Sequence, residues 1–164
     1  MYKRQLRLYT LAANQGKVKA QYNLGVIYYE GRAVPQDYEE AVRWYTLAAK
    51  QGDAMAQFNL ASMYEDGHGV SQDYREAIKF YTLAARQGYA TAQSNLGLMH
   101  YNGQGVLADP VIAHMWFNIA AANGAESAGA NRDIIAKEMT SEDISKAEAM
   151  ARACFNSNYE KCGY

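Results

Sequence analysis

Gln21-Tyr22-Asn23-Leu24-Gly25 decides the fold, because near-copies of this segment return twice at a fixed interval. Gln57-Phe58-Asn59-Leu60-Ala61 begins 36 residues after it, and Gln93-Ser94-Asn95-Leu96-Gly97 begins 36 residues later again. A constant interval of this length is the sequence signature of a repeat array. The chain is therefore predicted to consist of stacked repeats of 36 residues.

A second segment keeps the same interval. Trp44-Tyr45-Thr46-Leu47-Ala48-Ala49 returns in modified form from Phe80 and from Trp116, and a shortened copy begins at Tyr9. Each repeat therefore contains two recurring segments in a constant order, and the array starts with the second segment alone.

The spacing within a repeat predicts two helices. In the first helix Ala20, Leu24 and Tyr28 fall four residues apart and share one face. Gly25 lies beside that face, where a missing side chain lets a neighbouring helix approach. Glycine is also expected to end each first helix in the left-handed conformation, at Gly31, Gly67 and Gly103.

The second helix has recognisable start and stop signals. Asp37 precedes Glu40 by three residues, and Asp73 precedes Glu76 likewise, which is the spacing of a capping box. Asp109-Pro110 opens the third second helix as an N-cap followed by proline. Ala41, Tyr45 and Ala48 then form its buried stripe, and glycines end these helices at Gly52, Gly88 and Gly124.

These positions resemble the Sel1-like repeat family of bacterial type, which is related to tetratricopeptide repeats. The matching residues are Ala20, Leu24, Gly25, Tyr28, Gly31, Val34, Asp37, Glu40, Ala41, Trp44, Tyr45, Ala48, Ala49 and Gly52. Two departures are Ala33, where the other repeats have Gly69 and Gly105, and His100, which replaces the tyrosine of Tyr28 and Tyr64. The resemblance implies an all-α fold, a right-handed α-α superhelix (solenoid) of Sel1-like, tetratricopeptide-like helix pairs.

The repeat register predicts one solenoid over residues 1–164, with about ten helices and no sheet. Residues 3–16 form a partial repeat, a second helix without its first, as in an array cut from a longer one. Full repeats follow at 17–52, 53–88 and 89–124, and residues 125–164 supply C-terminal capping helices and a tail. In that tail, one helix is expected over 125–139 and another from Thr140 to about Phe155.

Composition excludes several functional classes. Lys+Arg 16 against Asp+Glu 17 gives a formal net charge of -1, without the basic clusters that nucleic-acid binding requires. No apolar run approaches the roughly 20 residues of a membrane span. The basic start of the chain is not followed by an apolar stretch, so it is not read as a signal peptide.

Candidate catalytic and metal-binding patterns are weak. His68, His100 and His114 pair with no second ligand at metal spacing, so no metal and no cofactor are predicted. The pairs Gly67/Gly69 and Gly103/Gly105 lack the Lys-Ser/Thr of a phosphate loop and are read as turns between helices. Some cysteine-rich relatives have been linked to β-lactam hydrolysis, but this chain lacks both their cysteine pairs and a Ser-x-x-Lys pair. An enzyme is therefore not predicted.

Cys154 and Cys162 are the only cysteines. A disulfide that attaches the tail to the last helix is favoured, and two unrelated thiols are the alternative. A zinc or redox role is the third and least favoured possibility, because Cys-x-x-Cys spacing is absent. A disulfide would favour a periplasmic or secreted location; otherwise the cytoplasm is expected.

The first helices have a second face, opposite Ala20 and Leu24, that is a candidate partner-binding groove. The resemblance to tetratricopeptide arrays implies a concave groove there that holds a peptide; its alternative is packing between neighbouring first helices. The predicted groove residues are Lys19, Tyr22, Val26, Tyr29, Glu30, Phe58, Ser62, Glu65, Asp66, Ser94, Leu98 and Tyr101.

The predicted function is that of a protein-interaction scaffold or adaptor. Its ligand is expected to bring an apolar or aromatic anchor and basic residues, because Glu30, Glu65 and Asp66 lie near the helix C-termini with Lys19 as the only cation placed nearby. The alternative is a structural or self-associating module. Self-association would use the N-terminal helix, on which Leu8, Leu11 and Ala12 are expected to form an uncovered apolar stripe.

Overall fold

The computed structural model describes residues 2–162 and shows only helices there, with no strand. Nine helices form within that range, against the approximate ten expected, and the all-α repeat fold predicted from the sequence is confirmed. Their bounds are α1 Tyr2–Asn14, α2 Val18–Glu30, α3 Tyr38–Lys50, α4 Ala54–Asp66, α5 Tyr74–Ala85, α6 Ala90–Asn102, α7 Pro110–Ala122, α8 Glu126–Ala136 and α9 Ser141–Asn156.

The chain divides after Phe80 into two compact units, the N-terminal unit and, from Tyr81, the C-terminal unit. The division falls inside α5. Helices α1 to α4 belong to the N-terminal unit and α6 to α9 to the C-terminal unit.

In the N-terminal unit, α2 packs against α1 and α3, and α3 packs against α4. Tyr45 and Leu60 lie in the core with almost no exposed surface. The close approach expected at Gly25 is present: a Cβ atom added there would lie 2.5 Å from Tyr45 Cδ1. Glycine at this position therefore lets the Tyr45 ring rest against the backbone of α2.

In the C-terminal unit, α7 is the central helix and packs against α6, α8 and α9. Gly97 repeats the arrangement of Gly25, since a Cβ atom added there would lie 2.7 Å from Phe117 Cε1. Ile119 is fully buried, whereas Leu47 and Leu83, at the same register of earlier repeats, are 38% and 40% exposed. In the same unit, α9 packs on α7 as an additional helix after the last repeat.

The helix ends follow the sequence signals in part. Gly31, Gly67 and Gly103 adopt φ values of 69°, 72° and 69°, as predicted for left-handed C-terminal residues. The side chain of Asp37 accepts a hydrogen bond from the backbone N–H of Glu40 at 3.0 Å. The reciprocal half of the capping box is missing, because the Asp37 N–H donates to the Tyr28 carbonyl and the Glu40 carboxylate binds Arg43.

The C-terminal helices differ from expectation at one end. Helix α8 stops at Ala136 rather than continuing to Met139, because the N–H groups of residues 137, 138 and 139 bond to carbonyls three residues back and tighten the last turn. Helix α9 begins after Thr140, whose side chain accepts from the Asp143 N–H, as predicted. Cys154 and Cys162 form a disulfide with a Cα–Cα distance of 4.6 Å.

Candidate partner-binding surface

The predicted groove residues of the N-terminal unit lie on α2 and α4, which contact each other. Tyr22, Val26 and Tyr29 are half-buried and pack with one side against the core that contains Tyr45 and Leu60. These side chains are therefore partly committed to packing, while each keeps some surface for a ligand. Phe58 on α4 is also half-buried.

Aromatic contacts fix the orientation of this surface. The Tyr22 and Tyr45 ring centroids are 5.9 Å apart, and those of Tyr29 and Tyr38 are 5.3 Å apart. Tyr38 in turn stacks on His68 at 4.6 Å with nearly parallel planes. Aromatic pairs at these separations stabilise each other beyond their buried area, so Tyr22 and Tyr29 are held in place before any ligand arrives.

The charged residues are arranged differently from the sequence expectation. Arg32, which sequence reasoning missed, donates to Glu30 Oε1 at 3.1 Å. The expectation that Lys19 is the only nearby cation is therefore wrong, and Glu30 already has a positive partner. Arg32 could have been found from its position two residues after Glu30, across the Gly31 turn.

Asp66 lies close to the aromatic side chains of α2. Burial raises the pKa of Tyr29, and the negative charges of Tyr38 and of Asp66 raise it further. The Asp66 carboxylate also accepts a hydrogen bond from Ser62 Oγ at 3.3 Å. Ser62, Asp66 and Tyr29 thus lie near one another, on the contacting helices α2 and α4.

Tyr45 connects this surface to the core. Burial raises its pKa well above the ordinary value, although a side-chain hydrogen bond with Asn59 opposes the shift. Tyr45 is almost fully buried and acts as a packed core residue.

One exposed side chain on this surface was missed from the sequence. Met55 is 45% exposed and stands 36 residues after Lys19, so it occupies the same register on α4 that Lys19 occupies on α2. The repeat register alone could have identified it. Its thioether side chain adds apolar surface beside Phe58 along α4.

The remaining predicted groove residues belong to the C-terminal unit and are less uniform. Ser94 is 7% exposed, so its expected place on an open surface is wrong; a small side chain at this register sinks among its neighbours. Leu98 and Tyr101 are exposed. Ile134 on α8, which falls 36 residues after Leu98, is also exposed and was not predicted from the sequence. Tyr101 Oη donates to Glu138 Oε2 at 3.2 Å, and this bond raises the pKa of Tyr101.

His100 and His114 are almost fully buried. Burial lowers the pKa of His100, and Asp109 opposes the shift. Burial also lowers the pKa of His114, Arg132 lowers it further, and Glu148 and Asp133 oppose the shift. No group of three or more metal-ligating side chains occurs among the described residues 2–162.

Helix α1 carries an apolar surface of its own. Leu8 and Leu11 are each 60% exposed, as the predicted stripe requires. Ala12 is half-buried and packs against a cluster that includes Ala20 and Trp44, so its expected exposure is wrong. Arg4 and Arg7 lie on the same exposed side of α1 as Leu8 and Leu11.

Within residues 2–162, no helix has both the length and the apolar character that crossing a membrane requires.

Comparison with known proteins gives one family. The Sel1 repeat model matches residues 6–17, 18–53, 54–89 and 90–124, which is one residue later than the predicted boundaries at the start of each full repeat. No curated protein sequence matches the chain.

Solved structures agree with this family. A Sel1 repeat protein from Oxalobacter formigenes is 37% identical with a TM-score of 0.72, over 79% of this chain and 98% of that one. A protective antigen of uropathogenic Escherichia coli with an SLR fold, c5321, is 30% identical with a TM-score of 0.61, over 94% of this chain and 42% of that one. Helicobacter pylori cysteine rich protein B shares the fold at 22% identity and a TM-score of 0.62, over 79% of this chain and 92% of that one. The chain belongs to the Sel1 repeat family.

Proposed function

We propose that this chain is an interaction module that binds a protein or peptide segment along the exposed face of its first helices. The observation that carries the proposal is the row of pre-oriented apolar side chains on α2 and α4 of the N-terminal unit, Tyr22, Val26, Tyr29, Met55 and Phe58.

The family agrees with an interaction role at a coarser level. Proteins built from Sel1 and related tetratricopeptide repeats generally mediate protein–protein interactions, and they are typically non-catalytic. The binding surface on α2 and α4 and the chemistry of the ligand are proposed here from the side chains of this chain.

The apolar side chains favour a ligand with an apolar or aromatic anchor. Binding energy in interfaces concentrates in a few large side chains that fill desolvated pockets. A cleft of about 200 Å³ opens beside Val26, between α1 and α2, and Leu6, Tyr9 and Ile27 help to line it. A volume of this size accommodates one large side chain of the partner.

The charges favour a basic residue beside that anchor. Glu65 and Asp66 lie in the last turn of α4, where the helix dipole adds partial negative charge. Glu30 contributes less, because Arg32 binds it. A Lys or Arg of the ligand would therefore be attracted mainly to the end of α4, and the attraction would weaken as salt increases.

The proposal is tested with peptides selected from a randomised library against the whole chain. We expect the selected peptides to contain an aromatic or aliphatic anchor next to Lys or Arg. The double variant Tyr29→Ala/Phe58→Ala should lose at least about tenfold in affinity, which corresponds to about 1.4 kcal/mol. The Glu65→Ala/Asp66→Ala variant should mainly reduce the association rate and its salt dependence.

A matched control keeps this test specific. Leu47→Ala removes an exposed apolar side chain from α3 in the same unit, outside the proposed set of residues on α2 and α4. Circular dichroism must show an unchanged helical signal for each variant. If Leu47→Ala weakens binding and Tyr29→Ala/Phe58→Ala does not, the groove is not the binding site.

A second candidate function is self-association through α1. The supporting observation is that Leu8 and Leu11 are exposed beside Arg4 and Arg7. Analytical ultracentrifugation should then show a mass that rises with concentration in the wild type and stays monomeric in Leu8→Gln/Leu11→Gln. The control Leu107→Gln changes a side chain that is 91% exposed elsewhere; a wild type that stays monomeric up to millimolar concentration rules the candidate out.

We also propose an oxidising compartment, either a periplasm or the extracellular medium, on the basis of the Cys154–Cys162 disulfide. Thiol titration of denatured, unreduced protein purified from its native host should find no free cysteine. Two titratable thiols in that material would refute this location.

A further inference from the structure

A repeated polar clamp holds neighbouring helix pairs together in the N-terminal unit. Gln21 Nε2 donates to the Ala13 carbonyl at 3.2 Å. Gln51 Nε2 then donates to Gln21 Oε1 at 2.7 Å and to the Gly16 carbonyl at 3.2 Å. The Gln51 side chain, at the C-terminal end of α3, thus bonds to α2 and to the turn after α1. Ala13, Gly16, Gln21 and Gln51 are here called the N-terminal clamp.

The C-terminal unit has the same clamp with one residue changed. Gln93 Nε2 donates to the Ala85 carbonyl at 2.9 Å, as Gln21 does to Ala13. Asn123 stands in the register of Gln51 and has the same backbone conformation, with φ −91° against −89°. Its Nδ2 donates to Gln93 Oε1 at 2.9 Å. Asparagine is one methylene shorter than glutamine, so Asn123 has less reach toward Gly88, the counterpart of Gly16.

Tyr159 from the tail lies in the region that the shorter Asn123 side chain does not reach. Its Oη accepts a hydrogen bond from Asn123 Nδ2 at 3.0 Å and donates to Asn123 Oδ1 at 3.1 Å. Its ring lies beside Gly88, where an added Cβ atom would be 3.7 Å from Tyr159 Cε2. At Gly16 an added Cβ atom would meet nothing within 4 Å. Gln93, Asn123, Tyr159 and Gly88 are here called the C-terminal clamp.

The disulfide holds Tyr159 in this position. Asn158 and Tyr159 both have left-handed backbone angles, φ 51° and 67°. Asparagine tolerates this region, whereas tyrosine seldom adopts it. They lie between Cys154 and Cys162, whose side chains are almost fully buried, and the Tyr159 N–H donates to the Cys154 carbonyl at 2.9 Å. The covalent loop therefore maintains a backbone conformation that the free tail would seldom adopt.

We propose that the Cys154–Cys162 disulfide is an oxidation-dependent lock. The closed disulfide holds Tyr159 against Asn123 and Gly88, in the place that the longer glutamine side chain occupies in the N-terminal clamp. Reduction releases Tyr159 and thereby loosens the C-terminal clamp. A dithiol supplies the two electrons and two protons. When the tail opens and exposes the buried bond, a thiolate of the dithiol attacks one sulfur and breaks the Sγ–Sγ bond, and the second thiol then resolves the mixed disulfide. Cys154 and Cys162 become thiols, and the reagent becomes a cyclic disulfide.

Hydrogen–deuterium exchange of the whole chain tests the lock, with the N-terminal clamp as an internal control. Dithiothreitol should raise the exchange rate about tenfold or more in segments 85–93, 119–125 and 157–162, and leave segments 13–21 and 48–53 unchanged. Increased exchange confined to 157–162 would overturn the proposal, because the clamp would then not depend on the tail. An equal rise in both clamps would also overturn it, since the effect would be global.

Variants that keep the disulfide separate the hydroxyl from the loop. Tyr159→Phe should raise exchange at 85–93 and 119–125 in oxidised protein. Asn123→Gln should raise exchange when Tyr159 is present, because the longer side chain and the ring compete for the space beside Gly88. In a Tyr159→Ala background, Asn123→Gln should instead lower it by restoring the arrangement of Gln51. If Asn123→Gln changed the exchange rate in the same direction in both backgrounds, Tyr159 would not be a replacement for the longer glutamine side chain.

Discussion

Gly97→Ala is the substitution whose effect the structure defines most sharply. Alanine in a helix interior is favoured over glycine by about 0.5–1 kcal/mol when nothing else changes. At Gly97, however, the new Cβ atom would lie 2.7 Å from Phe117 Cε1 and 2.8 Å from Cδ1. Carbon atoms prefer a separation of about 3.5–4.0 Å, so the ring would have to withdraw by about 1 Å.

The cost follows from the packing around Phe117, which is 1% exposed. Inserting a methyl group into a filled core costs about 1–3 kcal/mol. Gly129 on α8 provides the control, because its added Cβ atom would meet only Ala121 Cβ at an ordinary 3.9 Å. Both Gly97→Ala and Gly129→Ala gain the same helix propensity of alanine over glycine. The free energy of unfolding of Gly97→Ala should therefore fall about 1–3 kcal/mol below that of Gly129→Ala.

Urea unfolding followed by Trp116 fluorescence in a Trp44→Phe background measures this difference within the C-terminal unit, where Trp116 is buried. A double-mutant cycle assigns it to the ring: in a Phe117→Leu background, Gly97→Ala should cost at least about 1 kcal/mol less. Equal stabilities of Gly97→Ala and Gly129→Ala would refute the explanation of the mid-helix glycine as a packing requirement.

Three further effects are expected. Leu60→Ala should cost about 2–5 kcal/mol in urea unfolding because Leu60 is fully buried, whereas Leu107→Ala, at 91% exposure, should cost under about 0.5 kcal/mol; a small loss at Leu60 would contradict its core position. Ala33→Gly should stabilise by about 1 kcal/mol because Ala33 has φ 68°, and a lower melting temperature would contradict this. The pKa of His114 is lowered in the fold, so the unfolded state binds more protons and stability falls as the pH drops below about 6.5. His114→Ile, matching Ile78, should reduce the loss between pH 7 and 5.5, and an unchanged loss would assign it to other groups.

The fold was predictable because the repeat register is unusually regular. Tyr45 and Leu60 recur at their interval with the helix signals around them, so the core positions follow directly from the sequence. Helix ends were less predictable where two local interactions compete, as at Glu40, whose carboxylate binds Arg43 instead of closing the capping box. The end of α8 was missed because no glycine marks it.

The candidate surface was predictable in outline but not in its details. The register placed Tyr22 and Tyr29 on a face of α2 that keeps some exposed surface, and it also contained the exposed Met55 and Ile134, which were overlooked. The repeat register does not indicate how deeply a side chain is buried, so the burial of Ser94 could not be predicted from it. The ion pair between Glu30 and Arg32 depends on the geometry of the turn at Gly31. The contact of Tyr159 with Asn123 depends on the loop that the disulfide closes.

Mapping a bound peptide by nuclear magnetic resonance tests the central claim most directly. Amide chemical shifts of the isotope-labelled chain would be followed while a library-selected peptide is added. Saturable shifts are expected to be concentrated on the α2 and α4 faces that carry Tyr22, Tyr29, Met55 and Phe58, together with Asp66. Saturable shifts confined to the outer side of α3 around Leu47, or to α1 around Leu8 and Leu11, would contradict it.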